Sequence, residues 1–319
     1  MYIAFGFFLL SISITLTLIP FIIKVCKKLK ILDFADLRKQ KEEPKVRLGG
    51  LAITIAYLIS IISTNFFFKE YLPLNPFGDI FLIGSLSFFL IGFLDDIFIV
   101  SPLIRLLFQI SFSIFIWSKG IRIENISFSL LPNLSLFIEN FEILSLIITV
   151  IWIVGIVNAL NWLDGLDSLA TGISSITFFA FMIIFYLNNM YNFAFITLII
   201  FASCIGFLFY NLPPAKILMG DGGSYFLGFN LAIMSLLVNT TYVNNIQIIY
   251  FDKAVLMLFV PLVDMTSVIC TRLLKNKSPF YPDRSHIHHR ILDSGVGYNK
   301  TLIIIFMLTL IFILLGIKI

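Results

Sequence analysis

Charge is what this sequence has least of. Asp, Glu, Lys and Arg make up 13% of its 319 residues, about half the roughly 25% of an average soluble domain. Hydrophobic residues make up 59%, and the mean hydropathy is +1.02. A water-soluble fold of this size is excluded, because most of that surface must face lipid or other spans. Cysteine is scarce as well. Cys26, Cys204 and Cys270 are odd in number and lack C-x-x-C spacing, which speaks against a disulfide framework. They sit in or beside apolar runs, where Cys behaves as a small hydrophobe. No repeat and no low-complexity segment occurs. The apolar runs lack the alternation of a barrel strand, so helices are indicated.

What is present is a succession of apolar runs near the roughly 20 residues a span needs. Ten candidates lie at about 2–23, 49–68, 79–94, 103–118, 143–160, 169–187, 193–210, 223–239, 253–274 and 301–317. They follow so closely that residues 1–319 form one polytopic domain, an all-α membrane bundle of about ten transmembrane helices. The first run is not a cleavable signal, since it lacks a basic leader and a small-residue cleavage site. Its charges (Lys24, Lys27, Lys28 and Lys30) come after it, which favours an external N-terminus. With that orientation seventeen of the 22 Lys and Arg fall in cytoplasmic segments and five outside. The reverse arrangement would invert the bias, against the positive-inside rule. Both termini are therefore expected outside, and the long outer segment 119–142, with Pro132, reads as a small hairpin.

Every unusual polar cluster then falls on the cytoplasmic side. Asp95 and Asp96 close the third run amid apolar flanks. Two adjacent carboxylates there need a cation or proton to compensate them, with Arg105, Gln109 and Ser111 as candidate neighbours. Asn161, Asp164 and Asp167 recur every three residues, so successive pairs are neighbours if the segment is helical. Their oxygens suit Mg²⁺ or hydrogen bonds to a polar ligand. Gly220-Asp221-Gly222-Gly223-Ser224 opens an apolar helix, where free N–H groups attract phosphate. Asp221 would repel that phosphate unless Mg²⁺ bridges them. Asn211 and Lys216 lie just before this block. All three histidines, His286, His288 and His289, sit between Arg284 and Arg290. No Cys or fourth His offers zinc spacing, and donors of this kind fit a diphosphate clamp. Asp264, Val268 and Arg272 share one stripe of the ninth run, which points Asp264 into the bundle.

These blocks together resemble the polyprenyl-phosphate N-acetylhexosamine-1-phosphate transferases. The matching segments are Pro44-Lys-Val-Arg47-Leu-Gly49-Gly50, Asp95-Asp96, Asn161-x-x-Asp164-Gly-Leu-Asp167, Met219-Gly-Asp221-Gly-Gly-Ser224 and Ser278-Pro-Phe-x-Pro282-Asp-Arg-x-His286-x-His288-His289. Five blocks in order, spread over nearly the whole chain, are far more specific than any one. The Pro-Asp-Arg prefix resembles the GlcNAc-1-phosphate branch. The phospho-MurNAc-pentapeptide translocase of peptidoglycan synthesis is the alternative within the family. A cation-coupled transporter is the alternative outside it, disfavoured because the carboxylates gather at one face.

The resemblance implies an enzyme of the bacterial inner membrane with a cytoplasmic active site. It would join a UDP-N-acetylhexosamine to a polyprenyl phosphate lipid and release UMP, with Mg²⁺ or Mn²⁺. Asp221 would hold the metal, with Asp95 and Asp96 as further ligands or activators of the lipid phosphate. His286 and His288 would join them in the catalytic set. Lys45, Arg47, Asn161, Asp164, Asp167, Asn211, Arg284 and His289 would bind the nucleotide sugar. Nucleic acid is not an expected partner, and a homodimer is compatible with the family. Two departures stand out. Arg38-Lys39-Gln40-Lys41 has Lys where the branch usually has His, and Arg105 stands where Lys is usual.

Overall fold

A chain can cross a bilayer only if its backbone groups bond within the segment, and the long apolar runs here do so as helices. The computed structural model describes residues 2–32, 44–68, 76–130, 135–137, 141–243, 246–278 and 284–318. The run Arg38–Lys41, Pro132, and Pro282 with Asp283 lie outside the described residues.

The elements follow in order as α1 (Tyr2–Leu29), α2 (Gly49–Phe67), α3 (Pro76–Phe98), α4 (Pro102–Ser118), β1 (Asn125–Ser127), β2 (Ser135–Phe137), α5 (Glu142–Leu163) and α6 (Leu169–Leu187). Then come α7 (Tyr191–Asn211), α8 (Gly220–Val238), β3 (Thr240–Val243), β4 (Ile246–Tyr250), α9 (Phe251–Met257), α10 (Phe259–Leu274), α11 (Ile287–Asp293) and α12 (Tyr298–Lys318). Eight described helices, of 19 to 28 residues, are long and apolar enough to cross a membrane. At 1.5 Å per residue they reach about 28–42 Å, against a hydrocarbon core of about 30 Å. The chain is a multi-pass membrane protein. The fourth predicted run is the shorter helix α4, of 17 residues.

The ninth run differs from its expectation as one continuous helix. It breaks at Leu258 into α9 and α10, which meet at 84°. Pro261 supplies a reason. In an unbroken helix its nitrogen would have to donate to the Met257 carbonyl, and proline has no N–H to give. In the first turn of a new helix that donor is not needed.

The centre of the bundle is α8, 94% buried and packed by α2, α3, α5 and α6. Small residues let neighbours approach it closely. A Cβ on Gly223 or on Gly50 would run into the other's backbone, and one on Gly228 into Val157. Phe88 stacks on Phe229 at 4.8 Å, and Tyr57 meets Phe226 at 5.3 Å.

The expected hairpin in 119–142 is present, with β1 antiparallel to β2. It is half of something larger. β1 also pairs in parallel with β4, itself antiparallel to β3, giving the order β2-β1-β4-β3. The sheet is fed from the far ends of α4 and α8, whose near ends carry Arg105 and Asp221. Sheet and polar motifs therefore lie about one membrane thickness apart.

Candidate functional site

The segment Pro44–Gly50 places the first polar block. Val46 bridges Ile217 in parallel, Leu218 N–H donates to the Val46 carbonyl at 2.8 Å, and Gly50 N–H donates to the Met219 carbonyl at 2.8 Å. This short strand hangs Arg47 over the start of α8. There the chain turns through Gly220 at φ +79, where a Cβ would strike the Arg47 carbonyl and the Asp96 carboxylate. Only glycine suits a left-handed turn this tightly enclosed.

The start of α8 departs from the expectation of free N–H groups facing phosphate. Asp96 takes them. Its Oδ1 accepts from Asp221 N–H at 2.8 Å and its Oδ2 from Gly222 N–H at 2.9 Å. A carboxylate satisfies the orphan donors and the positive helix end together. The glycines that follow serve helix packing against α2 and α3.

Beside this cap lies a compact charge cluster. Arg105 Nη1 donates to Asp95 Oδ2 and to Asp221 Oδ2, each at 2.6 Å, and to Tyr225 Oη at 3.3 Å. Arg47 Nη2 donates to Asp221 Oδ1, and its Nε lies 3.4 Å from Asp96 Oδ1. Asp95 Oδ1 accepts from Val100 N–H at 2.7 Å. Three carboxylates thus face two guanidiniums, with Asp221 only 3% exposed. Such charges persist away from water only when paired and hydrogen-bonded. Of the neighbours expected for Asp95 and Asp96, Arg105 makes contact. Gln109 instead accepts from Asn158 at 2.6 Å, and Ser111 bonds within its own helix.

Asn161, Asp164 and Asp167 do not share a helix face. The helix ends at Leu163, and beyond it the chain turns through Gly165, so helical spacing does not set their neighbours. Asn161 Nδ2 donates to Ser224 Oγ at 2.9 Å. Asp167 Oδ2 accepts from Ala215 N–H at 2.9 Å and pairs with Lys45 Nζ at 3.4 Å. Asn211 is a buried clamp, accepting from Ser168 N–H and donating to the Ile217 carbonyl, both at 2.9 Å.

The Asp164 carboxyl is densely surrounded by protein although part of its surface opens outward. Burial pushes it up to about 7, Arg47 opposes that rise, and Asp221 and Asp167 add to it. The fold therefore favours its neutral form. That stabilisation is complete below about pH 4, the ordinary Asp range, and is lost as pH rises through about 7. Asp164→Asn should keep it at all pH values. Its thermal midpoint relative to the native protein should rise by on the order of a few °C between pH 5 and pH 8. A constant difference across that range contradicts the assignment.

The histidines lie at the start of α11, braced by Asp264 of α10. His286 Nδ1 lies 2.7 Å from Asp264 Oδ2, and Ile287 N–H donates to Asp264 Oδ1 at 2.6 Å. Asp264, Val268 and Arg272 are all buried, as their shared stripe predicts. His288 is 1% exposed and rests on Gly165. Burial, then its histidine neighbours, lower it to about 3, and burial with Arg284 lowers His289. His288 is neutral near pH 7, so it meets a ligand as a hydrogen-bonding ring and not as a fixed cation. Neither of its ring nitrogens has a partner among the described residues. Arg284 pairs with Asp293 at 3.0 Å in an exposed position.

One cavity adjoins the cluster, and another opens beside Lys45 and Asp167. The latter, of about 840 Å³, is lined by Lys27, Lys45, Asp167, Lys216, Tyr298 and Asn299 among others. The former, of about 190 Å³, lies between α4, α5 and α10 and includes Arg105, Asn158, Asn161, Trp162 and Tyr225. Sequence reasoning passed over Tyr225, although its place four residues after Asp221 puts it on the same helix face. Tyr298 and Asn299 carry no comparable signal, since they merely open the last apolar run.

Among the described residues no three His, Cys, Asp or Glu side chains converge as a metal cage. Asp95 and Asp221 nonetheless share one nitrogen of Arg105, within reach of a single small cation. Mg²⁺ is commonly held by one or two carboxylates, with substrate phosphates and water completing the shell. This pair fits that use. Asp96 could join only by leaving the helix start.

Comparison with known proteins identifies the family of the chain. The model of glycosyl transferase family 4 matches residues 79–239. A Bacillus subtilis (strain 168) protein named probable undecaprenyl-phosphate N-acetylglucosaminyl 1-phosphate transferase is 32% identical over 307 residues, 96% of this chain and 82% of its own length. The undecaprenyl-phosphate alpha-N-acetylglucosaminyl 1-phosphate transferase of Thermotoga maritima is 32% identical over 297 residues, 92% of this chain and 83% of its own. That of Haemophilus influenzae is 31% identical over 282 residues, 86% and 75% respectively. From Asp79 at the start of the third helix to Asn239 at the end of the central one, and with relatives that align along most of its length, the chain is a member of glycosyl transferase family 4.

Proposed function

We propose that this protein transfers GlcNAc-1-phosphate from UDP-GlcNAc to undecaprenyl phosphate and releases UMP. The observation that carries the reading is the Asp95–Arg105–Asp221–Arg47 cluster, set against Asn161 and a His288 that has no partner among the described residues. It stands in a chain whose relatives are named undecaprenyl-phosphate N-acetylglucosaminyl 1-phosphate transferases. In the reaction a lipid phosphate oxygen bonds to the sugar-bearing phosphorus of the donor. The bond from that phosphorus to the bridging oxygen breaks, and the oxygen leaves with UMP.

Both partners are anionic, so repulsion and charge development are the problems to solve. Arg47 and Arg105 suit that task, since each can exchange a carboxylate for a phosphate oxygen while staying charged. The lipid phosphate is already largely ionised near pH 7, so no general base is required. Asp95 and Asp221 would hold Mg²⁺, which when bound supplies positive charge to the transferring phosphoryl group. His288 offers a neutral ring to the donor, and Asn161, fixed by Ser224, a polar amide. The 840 Å³ cavity with Lys45 and Asp167 suits the nucleotide. The positive-inside bias supports a cytoplasmic position for this end of the bundle, in a bacterial inner membrane with both termini outside. The peptidoglycan translocase reading gains no support from the names of the relatives.

Purified protein supplied with UDP-GlcNAc, Mg²⁺ and undecaprenyl phosphate should release UMP, and a chelator should stop it. No UMP from any UDP-N-acetylhexosamine overturns the reading.

A further inference from the structure

Asp264 lies within α10 and does not touch the Asp–Arg cluster. It is 1% exposed, and a carboxylate at membrane depth is costly unless it is fully engaged. Its two oxygens are both used, one for Ile287 N–H at 2.6 Å and one for His286 Nδ1 at 2.7 Å. The first bond anchors the start of α11. The second does something a backbone anchor does not need, since it selects which nitrogen of His286 holds the proton.

The rest of the ring's surroundings fix its plane. Trp162 meets it nearly edge-on at 6.2 Å, and His288 stacks parallel to it at 5.5 Å. Arg272, from the same stripe as Asp264, lies over the Trp162 ring at 5.1 Å. His286 is therefore held by Asp264 from one side and by aromatic rings from two others. Its Nδ1 is committed, which leaves Nε2 as the atom it can offer.

We infer that Asp264 is a positioning residue for transfer, holding the His286 ring with its proton on Nδ1 so that Nε2 is presented as a hydrogen-bond acceptor to a hydroxyl or N–H group of the nucleotide sugar. The functional consequence rests on the transferase reading above, whereas the proton's location does not. Asparagine at this position separates the two bonds. Its single oxygen can still accept from Ile287 N–H, but its NH₂ would face Nδ1 and favour the opposite tautomer, with the proton on Nε2.

The chain has only three histidines, so ¹⁵N-histidine spectra of the purified protein are tractable, with His286→Gln assigning the signal. In the native protein Nδ1 of His286 should be protonated. In Asp264→Asn it should not be, and kcat for UMP release should fall about ten- to a hundredfold, the range in which partners of a working imidazole act. KM should move less. Asp264→Glu should recover the native tautomer and part of the rate. In a His286→Gln background, Asp264→Asn should cost little more, because the pair acts as a unit. An unchanged tautomer in Asp264→Asn overturns the inference, as does a full additional loss in that background. Absence of UMP release from the native protein would instead overturn the transferase reading, while the spectra still decide where the proton resides.

Discussion

Asp221→Asn should lower the rate of UMP release by about 10²–10³-fold, the scale of removing one preorganised charge-stabilising contact, while leaving the fold nearly as stable. The asymmetry follows from the cluster. Three carboxylates, from Asp95, Asp96 and Asp221, face two guanidiniums. Removing one carboxylate charge leaves the remaining two matched by Arg47 and Arg105, so no buried charge is stranded. The amide keeps the shape of the side chain and one of its two guanidinium contacts, while its NH₂ gives up the other. The start of α8 is unaffected, because Asp96 binds the backbone of residues 221 and 222 and not the Asp221 side chain. What is lost is the site where a divalent cation and the donor's phosphates would meet. Initial rates of UMP release and thermal unfolding in detergent check both halves. Near-native turnover would remove Asp221 from the reaction.

Gly50→Val should have the largest effect on folding. An added Cβ at Gly50 meets the Gly223 Cα and nitrogen, which are backbone atoms that no rotamer change can move aside. Helix α2 must then shift away from α8. The Val46–Gly50 strand, hydrogen-bonded to Leu218 and Met219, would be dragged with it, and Arg47 would leave Asp221. Overpacking of this kind costs about 1–3 kcal/mol, occasionally more, and here it falls on the close contact that drives helix association in lipid. A lower thermal midpoint and lost UMP release should appear together. Gly6→Val is the control, since a Cβ there meets nothing within 4 Å, and it should behave as native. Equal behaviour of the two variants would mean that the α2–α8 contact is not what holds Arg47 in place.

These variants mark where the sequence was legible. Spans were readable because a bilayer imposes one rule on every apolar run. The gathering of Asp, Asn and His motifs at one end followed from counting charges between those runs. The pairing of Asp95 with Arg105 was legible too, since a carboxylate beside an apolar span needs a cation nearby. Other features depend on partners far away in the chain. The glycines of 220–223 look like a phosphate loop until Gly50 and Asp96 are seen against them, more than 120 residues earlier. Asn161, Asp164 and Asp167 look like a helical ladder, but the helix stops at Leu163. The bend at Leu258 was foreshadowed by Pro261 alone, and a continuous apolar run obscured it. The parallel pairing of β1 with β4 joins loops separated by four long helices, and no local pattern announces it.

In the proposed reaction the sugar travels with its phosphate. UDP-GlcNAc carrying ³²P only in the sugar-bearing phosphate, incubated with the purified protein, Mg²⁺ and undecaprenyl phosphate, tests it directly. The label should move into the lipid fraction while unlabelled UMP is released. Label appearing in released UDP, or none reaching the lipid, would contradict it.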